Sequence, residues 1–442
     1  MFETLKNAFK VKEIRVKIWF TLLLLLLYRV GCFIPVPGIG SELITSEALD
    51  SLTYLNIMNM MTGGSLASGT LFAMGVGPYI NASIIMQLLA VAIPSLERLS
   101  KQGEEGRKRI AQYTRYMTIL LAIIQAIGIL INYGDNVLSS GEGTPLATML
   151  FGQEWLAYLA VILFFTAGTV ITMWIGERIT DYGVSNGISM LIFAGIIATA
   201  GQSLIQMFNN IVGAGSTHDE LTNFWKLVIM VVAILVVFVC IITVDLAERK
   251  IPVQYAKQIR GQKMYGGQST VIPIKVNSNG VLPLIFAFSI LSFPELIMTL
   301  FGWIDSGFGI WWRTWMGASS WVYMIVLTLF IIFFAYFYTS IQFNPDDISK
   351  SIQQNGGFIM GIRPGKPTAD YLKKISGRIT LFGALFLALL ALVPSIVFKA
   401  IDASSYGAFT ATGMLIVVSV ALEFNTALES QIMMKNYKGF LK

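Results

Sequence analysis

The chain has 442 residues, of which 55% are hydrophobic and only 13% charged. A soluble domain carries about 25% charged residues, so this composition excludes a soluble globular enzyme or binding module. The net charge is +6, and the few metal-ligating side chains are scattered: Cys32 and Cys240 lie in apolar blocks, and His218 sits in a polar loop with no imidazole or thiol beside it.

From the start of the chain, Met1 to Lys17 is a basic amphipathic stretch, with Phe2, Leu5, Phe9 and Ile14 set among Lys6, Lys10, Lys12, Arg15 and Lys17. It reads as a helix lying on a membrane surface. It enters the first apolar block with no small-residue cleavage site, unlike a secretory signal. Ten apolar blocks follow, at about 18–34, 71–93, 114–132, 155–175, 184–208, 224–247, 280–302, 320–343, 377–398 and 407–429. Each is long enough to cross the hydrocarbon core as a helix, the form that satisfies its own backbone where water cannot. The stretch Leu55 to Leu66 is different. It holds Asn56, Asn59, Thr62 and the pair Gly63-Gly64, and is too short and too polar to span. The block after it opens on Gly75, Gly77 and Pro78, which predicts a break or bend at its start.

Orientation follows from Lys and Arg. With the first residue inside, 27 of the 31 fall in cytoplasmic segments; Lys226, Arg313 and Lys399 fall outside, and Arg29 lies within the first span. Ten spans with both ends cytoplasmic result. Two five-span halves, 18–208 and 224–429, then enter the membrane in opposite senses, the geometry of an inverted repeat. Two cytoplasmic loops, 248–279 and 344–376, are longer and more basic than orientation requires. Strand-like runs at Val253–Ala256 and Val271–Ile274 suggest projecting hairpins. Residues 430–442 form a cytoplasmic tail.

No P-loop, dinucleotide fingerprint, His-Glu-x-x-His or nucleophile elbow occurs, so no catalytic residue, metal or cofactor is expected. Intramembrane charge is sparse: Arg29 alone is deep, and Asp245, Glu295 and Glu423 fall near block ends. An ion-coupled carrier would hold more carboxylates at mid-membrane. Two aliphatic pairs at i, i+4 spacing, Val76 with Ile80 and Ile188 with Ile192, follow glycines in the second and fifth blocks. The spacing fits a water-excluding pore ring and ordinary core packing alike. Asn81, Ser83, Gln87 and Gln125 place uncharged polar groups within spans, which suits a seam that opens and equally suits helix glue. A gated conduit and a secondary transporter of a small solute are the two readings these features allow.

Several long motifs, in order, narrow the choice. They are Phe33–Gly38 (FIPVPG), Asn59–Leu66 (NMMTGGSL), Gly77–Leu89 (GPYINASIIMQLL), Glu104–Tyr116 (EEGRKRIAQYTRY), Trp174–Ser189 (WIGERITDYGVSNGIS), Gln268–Thr270, Lys275–Asn277, Gly361–Gly365 (GIRPG) and Leu415–Val418. Through them the chain resembles the SecY family, the channel-forming subunits of the bacterial Sec protein translocase. The resemblance implies an all-α polytopic protein of the bacterial inner membrane, with ten helices in two inverted halves around a pore. It implies a plug at 56–71 and a pore ring of Val76, Ile80, Ile188, Ile192, Ile285 and Ile416, the last two selected by the resemblance alone. Val76 is smaller than the isoleucine common at its place in the family. The family's lateral gate maps onto Asn81, Gln87, Gln125, Ser289 and Ser292. Arg363 matches the family's key docking residue, with Arg249, Lys250, Arg260, Lys263 and Lys366 beside it. Expected partners are the small subunits SecE and SecG, the motor ATPase SecA, the ribosome through rRNA phosphates and ribosomal proteins, secretory preproteins with their signal peptides, and membrane lipids.

Overall fold

A computed structural model describes residues 2–37, 39, 44, 53–100, 102–138, 154–212, 217–255, 258–260, 263–265, 269–277, 280, 282–303, 306–317, 320–400 and 411–439. In chain order the first helices are α1 (Phe2–Lys10), α2 (Lys12–Gly31), α3 (Thr53–Thr62), α4 (Gly77–Ala92), α5 (Pro94–Ser100) and α6 (Glu104–Leu138). Next come α7 (Glu154–Tyr182), α8 (Gly187–Val212) and α9 (Thr217–Asp245), then strands β1 (Glu248–Tyr255), β2 (Gln258–Arg260), β3 (Lys263–Tyr265) and β4 (Ser269–Lys275). The chain continues through α10 (Leu282–Phe301), α11 (Gly307–Met316), α12 (Trp321–Gln342), α13 (Pro345–Gln354), β5 (Gly357–Ile359), α14 (Lys366–Ala400) and α15 (Ala411–Gly439).

A helix stands on every one of the ten apolar blocks. Six of them, α6, α7, α10, α12, α14 and α15, are long and apolar enough to cross a membrane by themselves; α4 with α5 is a bent candidate, turning by 106°. In α8 and α9 the apolar parts among the described residues are Gly187–Ser203 and Val231–Asp245. The burial pattern is that of a bilayer solvent. On α2 the inward side carries Thr21, Tyr28 and Gly31 with Ile14, Ile18 and Leu24, whereas Leu22, Leu23, Leu26, Leu27 and Val30 are exposed. Small and polar groups between helices with leucines outside is what lipid favours, because tails solvate leucine as well as a protein core does. The chain is a multi-pass membrane protein.

Two compact units are formed: Met1–Leu227 with Ser289–Tyr323 and Ala403–Lys442, and Val228–Phe288 with Met324–Asp402. They do not coincide with the two five-span halves, since Ser289–Tyr323 and Ala403–Lys442 group with the first. The first unit's core gathers Leu55 and Met58 of α3, Leu66, Ala73 and Met74, Ala122, Ala126 and Ile129 of α6, and Val161 and Phe165 of α7. The amphipathic start of the chain also packs into this unit. Ala8, Ile14 and Ile18 cluster with Val184 and Leu428, and Thr4 Oγ1 donates to Glu429 Oε1 at 3.1 Å. α15 runs on through residues 430–439. His218, expected in a loop, lies in the first turn of α9.

In the second unit the two long basic loops are one structure. β1 pairs antiparallel with β4, Ile251 opposite Ile272 and Val253 opposite Thr270, and on its other edge with β5, Val253 opposite Ile359. The order β4-β1-β5 makes β1 central, and β2 with β3 adds a two-stranded hairpin beyond it. Ile251, Val253, Ile274, Ile352, Ile359, Leu372 and Ile375 form a core beneath the sheet. Val253→Asp would put a carboxylate in that core, at a cost of several kcal/mol for an unpaired buried charge. Limited proteolysis should then cut within 248–275 faster, while the unfolding temperature of the detergent-solubilised spans changes little.

Candidate functional site

The non-spanning stretch forms α3 and is folded into the first unit. Its helix covers Thr53–Thr62 and stops where Gly63 and Gly64 take positive φ, 72° and 88°, a conformation that costs glycine little. The helical part thus begins before, and ends well within, the 56–71 stretch. The turn is stitched locally: Gly64 N donates to Asn59 O at 2.9 Å, Asn59 Oδ1 accepts from Ala67 N at 3.0 Å, and Ser65 Oγ donates to Thr62 O at 2.9 Å. Beyond it, Leu71 N donates to Ile34 O and Val36 N to Gly69 O, so the return strand of the loop lies along the segment that leaves α2.

Three helices seat α3. Thr199 Oγ1 of α8 donates to Met60 O at 3.1 Å. Gly195 lies so near Met61 O that no β-carbon fits between α8 and α3. Met58 rests on Gly77 at the head of α4. From α2, the Arg29 guanidinium occupies the place a β-carbon would take at Gly63, its Nη1 buried and without a hydrogen-bond partner among the described residues. A cation here faces the carbonyl end of α3, the favourable end of the helix dipole, and Phe33 stacks over it at 5.6 Å. Beside this seat is a cavity of about 480 Å³ lined by Arg29, Phe33, Gly63, Ser65, Ser68 and Gln202, among others.

The predicted ring residues of this unit sit at helix heads. Val76 is the N-cap of α4, with Pro78 in the first turn as expected, and Ile80 follows one turn on. Ile188 and Ile192 occupy the first two turns of α8, Ile416 the second turn of α15, and α8 packs on both α3 and α15. Val76, Ile192 and Ile416 are buried, Ile80 and Ile188 half-buried. Ile188 turns its Cδ1 toward Gly176 of α7. Ile285 belongs to the second unit, half-buried on the first turn of α10.

The polar gate residues divide. Gln87 is exposed and donates to Ser83 Oγ at 3.2 Å within α4. Asn81, Ser289 and Ser292 are half-buried. Gln125 is only 4% exposed, and neither of its amide atoms has a hydrogen-bond partner among the described residues. Such an orphan amide costs about 1–3 kcal/mol. The seam between α6 and α10 closes two turns further along: Asn132 Nδ2 donates to Thr299 O, and Gly128 lets Leu300 approach to backbone contact. Gly128 and Asn132 were not singled out from the sequence, although a glycine and an amide at i, i+4 in a span are a recognisable helix-contact pattern.

On the sheet of the second unit, Arg249, Lys250, Arg363 and Lys366 are exposed. Lys250 pairs with Glu248 at 3.0 Å. Arg363 is presented on a turn between Gly361 and Gly365, both at positive φ, and Thr368 Oγ1 ties its carbonyl at 2.8 Å. Arg260 and Lys263 face each other in register on β2 and β3; their side chains lie outside the described ones.

The sequence profile of the SecY family matches residues 70–425. A protein translocase subunit SecY from Halalkalibacterium halodurans is 41% identical over 444 residues, covering 100% of both chains. The chain belongs to the SecY family. Solved structures agree on the fold: a SecY protein whose plug domain stabilises the closed state of its translocation channel superposes with a TM-score of 0.64 at 20% identity, over 94% of this chain and 91% of that one. Sec61 from a canine ribosome–channel complex gives 0.64 at 18% identity, over 94% and 91%. The solute-transporter alternative finds no support among these relatives.

Within this SecY-family chain, the seat of α3 is the feature with the sharpest physical test. Arg29→Ala removes a cation worth about 1–2 kcal/mol at a partly buried helix end, while Arg29→Lys keeps the charge. The alanine variant should lower the unfolding midpoint in detergent and raise ion efflux from reconstituted vesicles; the lysine variant should restore part of both.

Proposed function

We propose that this chain is the protein-conducting channel of a Sec translocase in the bacterial inner membrane, with both termini cytoplasmic and its two five-span halves inserted in opposite senses. It passes unfolded secretory chains across the membrane and releases hydrophobic segments sideways into lipid. The observation that carries the reading is α3: a short helix, stopped by two glycines, buried among spans and held by side-chain and dipole contacts instead of crossing. A carrier for small solutes has no need of such an element, whereas a wide conduit needs one to stay sealed.

In this reading α3 is the plug. Its seat on Arg29, Thr199 and Gly195 favours the closed state, and an arriving signal peptide shifts a pre-existing closed–open equilibrium by binding the open form better. Val76, Ile80, Ile188, Ile192 and Ile416 form the aliphatic constriction of the first unit. Aliphatic side chains exclude water and ions by dewetting yet yield to a moving polypeptide. The seam of α6 and α10 is the lateral exit on this unit's side. The orphan amide of Gln125 is poised there to gain a partner when the seam parts, which lowers the cost of opening. No covalent chemistry is involved, so the driving energy comes from outside the chain.

That energy enters at the sheet. Arg363 and Lys366, with Arg249 and Lys250, offer an exposed basic surface for the motor SecA or for rRNA phosphates and ribosomal proteins, an attraction that weakens with salt. SecE and SecG are the expected small membrane partners.

Two measurements test the reading. Ile80→Gly with Ile192→Gly should raise ion conductance of reconstituted channels without abolishing insertion; unchanged conductance removes the ring assignment. Arg363→Glu should cut ATP-driven preprotein import into vesicles by roughly tenfold or more, as expected when a like charge meets a docking partner, and leave subunit folding intact. Normal import by this variant removes the docking role.

A further inference from the structure

Five of the nine tryptophans lie between Trp303 and Trp321, in and around α11, the short helix joining α10 to α12. The helix begins on Ser306, whose side chain accepts from Gly309 N at 3.3 Å. Its inward side carries Gly309 and Met316, both buried, and the half-buried Trp312, whose Nε1 donates to Glu295 Oε1 of α10 at 3.4 Å. The outward side is the apolar one: Phe308 is 51% exposed, Ile310 57%, Trp311 52% and Trp315 52%. Phe308, Trp311 and Trp315 fall at i, i+3 and i+7, a single stripe. A helix facing water would turn Phe308, Trp311 and Trp315 inward.

The stripe is not isolated. On α10, Phe293, Ile297 and Phe301 are exposed at i, i+4 and i+8, the face that this spanning helix offers to acyl chains. Phe301 stacks on Trp303 at 5.1 Å, and Phe308 stacks on Trp311 at 6.1 Å. Among the described residues, exposed aromatic rings thus stand both at the end of α10 and along the outward face of α11. Exposed Trp321 begins α12 at the helix's other end. Tryptophan, with an apolar ring and one N–H donor, concentrates at the headgroup level of bilayers.

We propose that α11 is a membrane-interface anchor, its Phe308, Trp311 and Trp315 stripe seated among the headgroups and upper acyl chains of the leaflet at the end of α10. Arg313 is the one charged residue of the helix, so the attachment is driven by apolar area and not by anionic lipid. The anchor fixes the depth and tilt of the end of α10 independently of any channel activity. Through the Trp312–Glu295 contact it holds the same helix that meets α6 at Thr299.

The test uses the full-length chain in phosphatidylcholine vesicles, with Cys32→Ala and Cys240→Ala as background and nitroxide labels at Trp311→Cys and Trp315→Cys. Thr314→Cys, on the exposed side, samples the same surface without removing an aromatic ring. Labels at these sites should collide with oxygen severalfold more, relative to an aqueous nickel chelate, than a label at Glu104→Cys, whose native side chain is solvent-exposed. Adding phosphatidylglycerol should leave that ratio unchanged. Dominant collision with the nickel chelate places the stripe in water and overturns the proposal. Shielding from both probes means that a second copy or another protein covers it, which overturns it too.

Discussion

Everything in this chain is subordinate to the requirement that backbone polar groups in hydrocarbon find partners within the protein. The spanning helices meet it trivially, each closing its own ladder. The interesting places are where a helix stops at membrane depth. After Thr62 the chain leaves helical geometry for fourteen residues, and many of the freed groups are taken up locally, by Asn59, Thr62 and Gly64, or by the strand-like pairing of Gly69 and Leu71 with Val36 and Ile34. That irregular backbone is tolerated only because it is enclosed by α2, α4, α7 and α8. Enclosure in turn demands small residues on the enclosing helices, which is why Gly168 meets Leu71 O and Gly195 meets Met61 O with no room for a side chain.

Much of this was legible in the sequence, for identifiable reasons. Lipid imposes long uninterrupted apolar runs, so each of the ten blocks carries a helix, although α6, α14 and α15 run about ten residues past their blocks at one end. The weak stretch from Leu55 stood out because asparagines and paired glycines do not belong in a span, and the glycines end α3 where expected. Gly75, Gly77 and Pro78 predicted a break at the head of the second block, and the helix there starts at Gly77, where proline's missing N–H is harmless in a first turn. What could not be read were contacts between segments distant in the chain. Arg29 was visible as a deep charge, but its position against Gly63 depends on tertiary packing. The joining of loops 248–279 and 344–376 through β5 depends on three residues whose pairing partner lies about a hundred positions away, and no local periodicity announces it.

The candidate site shows the same division. Aliphatic residues at i, i+4 mark a helix face, and Val76, Ile80, Ile188 and Ile192 do stand at helix heads. Periodicity is silent about which faces converge. It missed Gly128, Asn132 and Thr299, whose importance is that one helix approaches another at backbone distance. It also led His218 to be assigned to a loop, because a polar stretch without apolar repeat looks the same whether it is a loop or the first turn of a helix. In each instance the information was in the identity of a neighbour, which a linear pattern does not contain.

The central position of β1 has a mechanical corollary. β1 is the direct continuation of α9, β4 leads toward α10, and β5 lies between α13 and α14, so four stems of the second unit end in one ladder. A load applied at Arg363, near β5, and directed along the strands meets the β1–β5 and β1–β4 hydrogen bonds in shear, where all rungs resist together, instead of being peeled one at a time. The ladder is thus a stiff coupling: displacement at the surface is delivered to the roots of α9 and α14 with little lost to bending.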